Sequence, residues 1–235
     1  MSQPNYQLYY WPIAFRGCFV SYQFAYSSEP LLIESDLETI KNLIALSPEK
    51  QETPFTGPPL LVERDSGRVI SQMPAIVLYM AEKLGLKPQD PFEAAMCMKT
   101  LMDCNDVLME LCCYNGSMMW ERESWIGFRS TRLPRWMRVF EESLKRGYLG
   151  KEKANFADIG VFALFGNMIR CLPELEDDLR NHAPGVYRLC KTIGDNPSLA
   201  KFVAQEESKY GKLYCGGQIE QSIRKMLEMD SQKNS

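Results

Sequence analysis

The chain has 235 residues, which is long enough for two domains with a sizeable buried core. It carries 27 lysines and arginines against 30 aspartates and glutamates, and the net charge of −3 gives no reason to expect a nucleic acid or an anionic membrane as partner. No apolar run approaches the ~20 residues that span a bilayer, and residues 1–5 have neither the basic nor the apolar region of a signal peptide, so we expect a cytoplasmic protein.

The first predicted elements are a strand and a helix. Residues 6–11 form a short aromatic and apolar run typical of a strand, and Pro12 ends it. The Arg16-Gly17 step then leads into the apolar stretch 19–25, which predicts a helix. The chain therefore begins with strand, turn and helix.

A hairpin and a second helix follow. Residues 60–62 and 68–70 predict two short strands around the turn Asp65-Ser66-Gly67, in which Gly67 can adopt a positive φ. Residues 71–84 predict a helix, because apolar residues recur there at spacings of three and four. Pro74 falls in its first turn, where a missing N–H does no harm.

Residues 85–91 contain one glycine and two prolines and are the natural linker. We predict one domain over residues 1–84 and a second, all-helical domain over residues 92–228. The helices predicted in the second domain span residues 93–113, 124–146, 158–170, 185–193 and 197–210. The polar tail, residues 229–235, is predicted to be disordered.

The eight cysteines form no CxxC pair, and several lie in apolar helical stretches, which favours reduced and mostly buried thiols. His182 is the single histidine, so a zinc site with several histidine ligands is excluded. We therefore expect no metal site.

Four motifs of the first third, taken in order, carry a resemblance. They are a strand ending in tyrosine, an Arg-Gly step, a Pro-Leu strand entry and a Gln-x-x-Ala-Ile helix start, at Tyr10, Arg16, Pro59 and Gln72. They resemble the thioredoxin-like domain of the cytosolic glutathione S-transferases. Asn155-Phe156-Ala157-Asp158-Ile159 is similar to the capping motif of that family's all-α domain. The resemblance spans residues 6–220 and implies an α/β thioredoxin-like N-terminal domain followed by an all-α C-terminal domain.

Within the superfamily the chain resembles the tyrosine-type enzymes. It is also similar to a little-characterised bacterial-type branch, through Asp-x-Asn-Asp at residues 103–106 and Tyr-Cys-Gly-Gly-Gln-Ile-Glu at residues 214–220. That branch suggests no particular substrate.

The resemblance implies that Tyr10 is the catalytic residue. A thiol with a pKa near 8.5 is only a few per cent ionised at neutral pH, so an enzyme that uses it must stabilise the thiolate. A phenol that donates a hydrogen bond to the sulfur would do so. Tyr9 is the alternative donor, because side chains alternate across a strand and one of the two tyrosines faces the cleft. Cys18 is an alternative nucleophile.

The resemblance further implies a set of glutathione contacts. Pro59, if cis, would turn the backbone so that it pairs with the cysteinyl part of glutathione, although Pro58 before it has no N–H to donate. Gln72 and the Met73 N–H lie at a helix start, which suits the γ-glutamyl carboxylate, but Met73 lacks the serine hydroxyl usual in the family. Tyr10 and Arg16 complete this set. Two prolines in a rigid loop and a simple helix cap are the structural alternatives.

The remaining implied partners concern the second domain. In the family the long helix lines a homodimer interface, and Glu110 or Asp103 could there reach the glutathione of the neighbouring subunit. Trp11, Met119 and Trp120 are predicted to form the pocket for a small hydrophobic electrophile, with ordinary core packing as the alternative.

We therefore predict a glutathione S-transferase that uses glutathione as co-substrate and conjugates it to small hydrophobic electrophiles, a detoxification reaction. The alternatives are a non-catalytic binding or scaffold protein with the same fold and a glutathione-dependent isomerase or peroxidase. Pro58 and Met73 are the residues that favour a non-catalytic protein.

Overall fold

A computed structural model describes residues 3–232 of the chain. Its N-terminal part contains one four-stranded sheet with the strand order β2-β1-β3-β4. The strands are β1 (Tyr6–Tyr9), β2 (Leu31–Glu34), β3 (Leu60–Glu63) and β4 (Arg68–Ser71). β1 runs parallel to β2 and antiparallel to β3, and β3 and β4 form the predicted hairpin, in which Gly67 has a φ of 70°.

Three helices accompany this sheet: α1 (Arg16–Tyr26), α2 (Leu37–Ala45) and α3 (Met73–Lys83). α1 and α3 pack on each other because each presents buried apolar residues, such as Phe19 and Val77. The predicted helix over residues 71–84 is observed from Met73, with Pro74 in its first turn. β2 and α2 were not predicted from the sequence.

The second part of the chain is helical. Its helices are α4 (Pro91–Leu111), the single turn α5 (Cys113–Gly116), α6 (Arg122–Gly127), α7 (Leu133–Lys145), α8 (Phe156–Val161), α9 (Asn167–Cys171), α10 (Glu176–His182), α11 (Pro184–Gly194), α12 (Pro197–Tyr210) and α13 (Gly217–Ser231). π-Helical turns at Phe128–Arg132 and Phe162–Gly166 join α6 to α7 and α8 to α9. The thioredoxin-like sheet followed by an all-α domain confirms the predicted fold class. The boundaries at residues 84 and 92 remain predictions.

The capping motif of α8 folds as its residue types indicate. The side chain of Asn155 accepts hydrogen bonds from the N–H groups of Ala157 (2.8 Å) and Asp158 (3.2 Å). The Asp158 carboxylate accepts from the N–H groups of Asn155 (3.0 Å) and Gly150 (2.8 Å). Both capping side chains are buried, so this box ties the preceding loop to the core.

The C-terminal end differs from its prediction. α13 continues to Ser231, so the predicted disorder from residue 229 is wrong up to that point. Its buried residues, among them Ile223 and Leu227, pack into the core and explain why the helix persists. The last part of the predicted tail, residues 233–235, lies outside the described residues.

All eight cysteines are free thiols, and six of them are buried. Within residues 3–232 no group of three or more histidine, cysteine or acidic side chains is placed to hold a metal ion. No single helix of the same residues is long and apolar enough to cross a membrane, and one bent pair, Phe156–Cys171 with Pro173–His182, passes that test by length and composition only.

Candidate functional site

The strand register brings three of the predicted site residues together. Tyr9 lies opposite Leu60, and Leu60 lies opposite Ser71. One residue beyond this register, at the same end of the sheet, lie Tyr10 after β1, Pro59 before β3 and Gln72 after β4. These three residues therefore form one row. Since neighbouring strands are about 4.8 Å apart, the row spans roughly 10 Å. This is the length scale of a short peptide laid across the strand ends.

Tyr10 points to the same face of the sheet as Leu8 and packs against the first turn of α1. Its backbone N–H donates to the Glu34 carbonyl at 3.1 Å, which continues the pairing of β1 with β2 by one residue. The side chain is only 5% exposed, and its ring lies against Gly17. Burial raises the pKa of the Tyr10 hydroxyl well above its usual value, while Arg16 acts in the opposite direction. The phenol is therefore a proton donor at neutral pH, and not a base.

The two alternatives to Tyr10 have different surroundings. Tyr9 alternates with Tyr10 and therefore points to the opposite face of the sheet. Burial raises the pKa of the Cys18 thiol to about 12, although a hydrogen bond with Tyr22 opposes this. At neutral pH Cys18 is thus a neutral thiol, which is a poor nucleophile.

Arg16 begins α1 and extends towards α4. Its Nε donates to Asn105 Oδ1 (3.3 Å), and its Nη2 donates to the thioether sulfur of Met109 (2.9 Å). The guanidinium carbon lies 4.9 Å from the ring centre of Phe15. Within the described part of the chain Arg16 forms no ion pair. A partly buried cation with neutral neighbours is well suited to meet an anion.

The proline pair and the start of α3 form the other half of the row. The Pro58-Pro59 peptide bond is cis, Pro59 is buried and Pro58 is half-buried. Gln72 is exposed and occupies the N-cap position of α3, yet its side chain makes no capping hydrogen bond. The side chain is therefore free for a ligand, which argues against a purely capping role. Met73 is buried, and its N–H belongs to the first helical turn, where N–H groups have no intrahelical acceptor.

Gln72 has a φ of 71°, in the left-handed region that favours glycine. Such a conformation in a non-glycine residue costs about 1 to 2 kcal/mol, and strained residues of this kind cluster at active sites and ligand-binding positions. The strain therefore marks the β4–α3 junction as a candidate binding position. This is a second indication, in addition to the sequence motif that contains Gln72.

Met119 and Trp120 lie elsewhere, in a cavity of about 600 Å³ in the helical domain. Met118, Phe128 and Arg132 also line this cavity, whereas Tyr10 and Trp11 do not. Trp11 instead packs, partly buried, against the core. Trp11, Met119 and Trp120, which the sequence predicts to form one pocket, therefore do not line one common cavity in the single chain. Trp120 is held at the end of α4, because its indole N–H donates to the Leu111 carbonyl at 2.9 Å.

The two acidic candidates on α4 are already paired. Glu110 accepts from Arg132 through both carboxylate oxygens, with Nε at 3.1 Å, and from the indole N–H of Trp136 at 3.2 Å. Its side chain is 20% exposed and borders the cavity of Met119. Asp103 forms an ion pair with Lys99 one turn earlier. Either carboxylate would have to exchange an existing partner to bind an amine.

A left-handed turn at the rim of the same cavity was not expected from the sequence. Cys113, Tyr114, Asn115 and Gly116 have φ values of 43°, 52°, 61° and 77°. Four such residues in succession end α4 and expose Tyr114 beside the cavity. The Asn115-Gly116 dipeptide is the one local signal that could have indicated this turn.

The C-terminal segment covers the loop that follows β1, which sequence reasoning also missed. The Ala14 N–H donates to the Leu213 carbonyl at 2.9 Å, and the rings of Phe15 and Tyr214 meet edge to face at 5.5 Å. The Glu220 carboxylate fixes the segment by accepting from the N–H groups of Tyr214 and Gly216 at 2.9 and 2.7 Å. The contacts of Ala14 and Phe15 with this segment join residues 199 positions apart, so no local pattern signals them.

The comparisons with known proteins give one family match and several structural likenesses. A family model described as the glutathione S-transferase C-terminal domain matches residues 96–226. No curated protein matches the chain. Among solved structures, the chain is similar to a Pi-class glutathione S-transferase of Onchocerca volvulus, with a TM-score of 0.73, 17% identity and coverage of 91% of this chain and 98% of that chain.

Two further solved structures show the same likeness. Prostaglandin synthase D of Nilaparvata lugens has a TM-score of 0.69 at 19% identity, covering 86% of this chain and 98% of its own. The glutathione S-transferase from Ascaris lumbricoides has a TM-score of 0.65 at 21% identity, again covering 86% and 98%. At such identities the likeness establishes the fold.

Proposed function

Because the chain belongs to the glutathione S-transferase family, we propose that it is a tyrosine-type glutathione transferase in which Tyr10 activates the thiol of glutathione for attack on a small hydrophobic electrophile. Family and fold support a transferase-type function in general. The finer claim depends on the residues at one end of the sheet.

The observation that carries the proposal is the row of Tyr10, Pro59 and Gln72 at adjacent strand ends. Each supplies a different group: a buried phenol, a cis-proline turn and a free amide on a strained backbone. Arg16 adds a cation without an acidic partner among the described residues. Glutathione is a tripeptide with a central thiol and two carboxylates, and these match the groups of the row and the cation in type and order.

Tyr10 acts as a hydrogen-bond donor in this proposal. Its raised pKa keeps the phenol protonated, so that it donates to the sulfur and stabilises the thiolate. The thiol proton leaves to solvent. The sulfur lone pair then forms a bond to the electrophilic carbon, and the group displaced from that carbon departs with its bonding electrons. A charged hydrogen bond of about 1.5 to 3 kcal/mol lowers the thiol pKa by about 1 to 2 units.

The remaining residues bind and orient the peptide. The Pro58 carbonyl accepts from the cysteinyl N–H, and the lost N–H of this proline removes the second bond of the pair. The Met73 N–H and the side chain of Gln72 bind the γ-glutamyl end, where the helix N-terminus favours a negative charge. Met73 contributes no hydroxyl, so we expect weaker glutathione binding than a serine at that position would give.

The electrophile and the dimer are part of the same proposal. Met119 and Trp120 line the cavity that offers an apolar surface, and Glu110 stands at its edge. We propose that this cavity faces the second subunit of a homodimer, where Glu110 would exchange Arg132 for the amine of the partner's glutathione. We also propose a cytoplasmic location.

A non-catalytic binding protein is the second candidate, and the burial of Tyr10 favours it. At 5% exposure Tyr10 presents little surface to a ligand. Glutathione-dependent isomerisation or peroxide reduction would use the same thiolate.

Retention on immobilised glutathione, followed by conjugation assays on the parent, Tyr10→Phe and Tyr9→Phe, distinguishes these functions. We expect the parent to bind and conjugate, Tyr10→Phe to bind with activity reduced by about 10- to 100-fold, and Tyr9→Phe to match the parent. A parent that binds glutathione without conjugating it indicates the non-catalytic protein. A parent that does neither refutes the transferase.

A further inference from the structure

The cavity of about 600 Å³ at the end of α4 has a rigid aromatic wall. Tyr114, Trp120 and Phe128 line it. The ring centres of Trp120 and Phe128 are 4.9 Å apart, with 39° between the ring planes. Trp120 is fixed at its backbone and at its ring, because its backbone N–H donates to Ser222 Oγ at 3.2 Å and its indole N–H donates to the Leu111 carbonyl. A wall that is already formed in this way suits a flat ligand.

The charges around this cavity do not cancel. Its charged lining residues are Glu110, Glu121 and Arg132. Glu110 accepts hydrogen bonds from Arg132 through both carboxylate oxygens, so these two charges offset each other. Glu121 is exposed and forms no ion pair within residues 3–232. The cavity therefore keeps one negative charge, that of Glu121.

Two exposed methionines supply an adaptable part of the lining. Met118 and Met119 are 63% and 38% exposed. Their unbranched thioether side chains can follow the outline of different ligands and pack well at the edges of aromatic rings. The faces of aromatic rings carry partial negative charge and attract cations. Ring faces beside the carboxylate of Glu121 therefore favour an organic cation, whereas an organic anion would meet charge of its own sign.

We infer that this cavity selects flat aromatic molecules that carry a positive charge over anions of the same shape. As a statement about the electrophile, this inference rests on the proposed function and deepens it, because it names the class of molecule that glutathione would attack. Tyr10 does not line the cavity, so the selection itself is measured without glutathione.

Three probes of nearly the same shape separate the effect of charge from that of size. They are 2-methylisoquinolinium as the cation, 2-methylnaphthalene as the neutral molecule and 2-naphthoate as the anion. Calorimetry measures their binding to the parent. We expect the cation to bind about tenfold more tightly than the anion. Equal affinities, or a tighter bound anion, overturn the inference.

Glu121→Gln locates the cation, because it removes the charge and keeps the length of the side chain. We expect it to weaken binding of the cation by about threefold, to strengthen binding of the anion by a similar factor and to leave the neutral probe unchanged. Glu123→Gln is the matched control, since Glu123 is exposed in the first turn of α6 and does not line the cavity. Equal effects of the two substitutions on the cation would overturn the assignment to this cavity.

Glu110→Gln tests the charge balance from the other side. It leaves Arg132 without its carboxylate, so the cavity gains a positive charge. The preference for the cation over the anion should then fall by at least about threefold. An unchanged preference would contradict the argument that this pair is neutral and that Glu121 alone decides the sign.

A conjugation assay separates failure of this inference from failure of the transferase. Its electrophile is 1-chloro-2-methylisoquinolinium: the glutathione sulfur forms a bond to the ring carbon that bears the chlorine, and chloride departs with the bonding electrons. We expect kcat/KM to fall about threefold in Glu121→Gln and to be unchanged in Glu123→Gln. If the parent conjugates but prefers no cation, the inference is wrong and the transferase remains. If it prefers the cation and conjugates nothing, the proposed function fails and the cavity is the cation site of a non-catalytic protein.

Discussion

The ring of Tyr10 lies directly on Gly17, where a β-carbon would approach Tyr10 Cδ1 to 2.2 Å. No side chain can be added at residue 17 unless the ring or α1 moves. Glycine at this position is therefore required by the close approach of an aromatic ring, and not by its backbone angles. This contact explains how the first turn of α1 fixes the phenol at the end of β1.

Gly17→Ala should reduce catalysis by displacing Tyr10. A displacement of about 1 Å at a reacting group can cost about 100-fold in rate, so we expect kcat/KM for conjugation to fall by about that factor. In the Gly17→Ala background, the further change Tyr10→Phe should have almost no effect, because the phenol is already misplaced. Steady-state conjugation kinetics on the two single variants and the double variant measure this coupling.

Gly127→Ala is the matched control, since residue 127 is helical and exposed and a β-carbon there meets nothing within 4 Å. It should keep full activity and gain up to about 1 kcal/mol of stability. Additive losses in the Gly17→Ala, Tyr10→Phe double variant would mean that the ring contact does not position the phenol.

Two substitutions of the strained residue Gln72 test its effect on stability separately from its effect on glutathione binding. Gln72→Gly removes both the side chain and the cost of its positive φ, whereas Gln72→Ala removes the side chain alone. We expect the glycine variant to exceed the alanine variant by about 1 kcal/mol in the free energy of unfolding. Both should lose about tenfold in affinity for glutathione, measured by calorimetry. Equal stability of the two variants would show that the backbone is unstrained.

Glu63 should make the N-terminal domain sensitive to acid. Its carboxylate accepts hydrogen bonds from Lys83 (2.7 Å), Ser66 (2.6 Å), Tyr79 (2.9 Å) and Tyr6 (3.3 Å). The bonds from Lys83, Ser66 and Tyr79, that of Lys83 above all, lower its pKa to about 2. A carboxyl whose folded pKa lies below its unfolded value of 4.5 contributes stability that is complete above pH 4.5 and is lost as the pH falls towards 2.

Glu63→Gln tests this origin of acid sensitivity. It should cost about 1.5 to 3 kcal/mol at neutral pH and flatten the decline of stability below pH 4.5. Urea titrations at a series of pH values measure both. Parallel declines in the parent and in Glu63→Gln would place the acid-sensitive group elsewhere.

We expect the capping box of α8 to contribute to the stability of the fold and not to catalysis. Asp158→Ala removes the acceptor for two backbone N–H groups, those of Asn155 and Gly150. We expect a loss of about 1 to 2 kcal/mol and a fall in Tm of about 2 to 8 °C, with kcat/KM unchanged below the transition. Asp177→Ala, at an exposed aspartate of α10, should stay within about 0.5 kcal/mol of the parent.

The parts of the fold that were predictable carry local signals. The Asp65-Ser66-Gly67 hairpin, the first turn of α3 with Pro74 and the capping box at Asn155 each depend on neighbouring residues. β2 and α2 were missed, although Asp36 accepting from the Thr39 N–H is a capping pattern that could have indicated α2.

The site was also predictable only where its residues belong to local sequence motifs. Tyr10, Pro59 and Gln72 stand in recognisable motifs, whereas the acceptors of Arg16 lie about 90 residues away on α4. Contacts of that separation depend on how the two domains pack. The pairing of Glu110 with Arg132 likewise joins α4 to the turn before α7, 22 residues further on, so no local pattern signals it.

The central claim is that this protein ionises the thiol of glutathione through Tyr10. An ultraviolet titration of glutathione bound to the parent and to Tyr10→Phe tests it most directly. The account predicts a bound thiol pKa about 1 to 2 units below 8.5 in the parent and a return most of the way to 8.5 in Tyr10→Phe. A bound thiol that titrates near 8.5 in the parent, or equally low in both proteins, would contradict it.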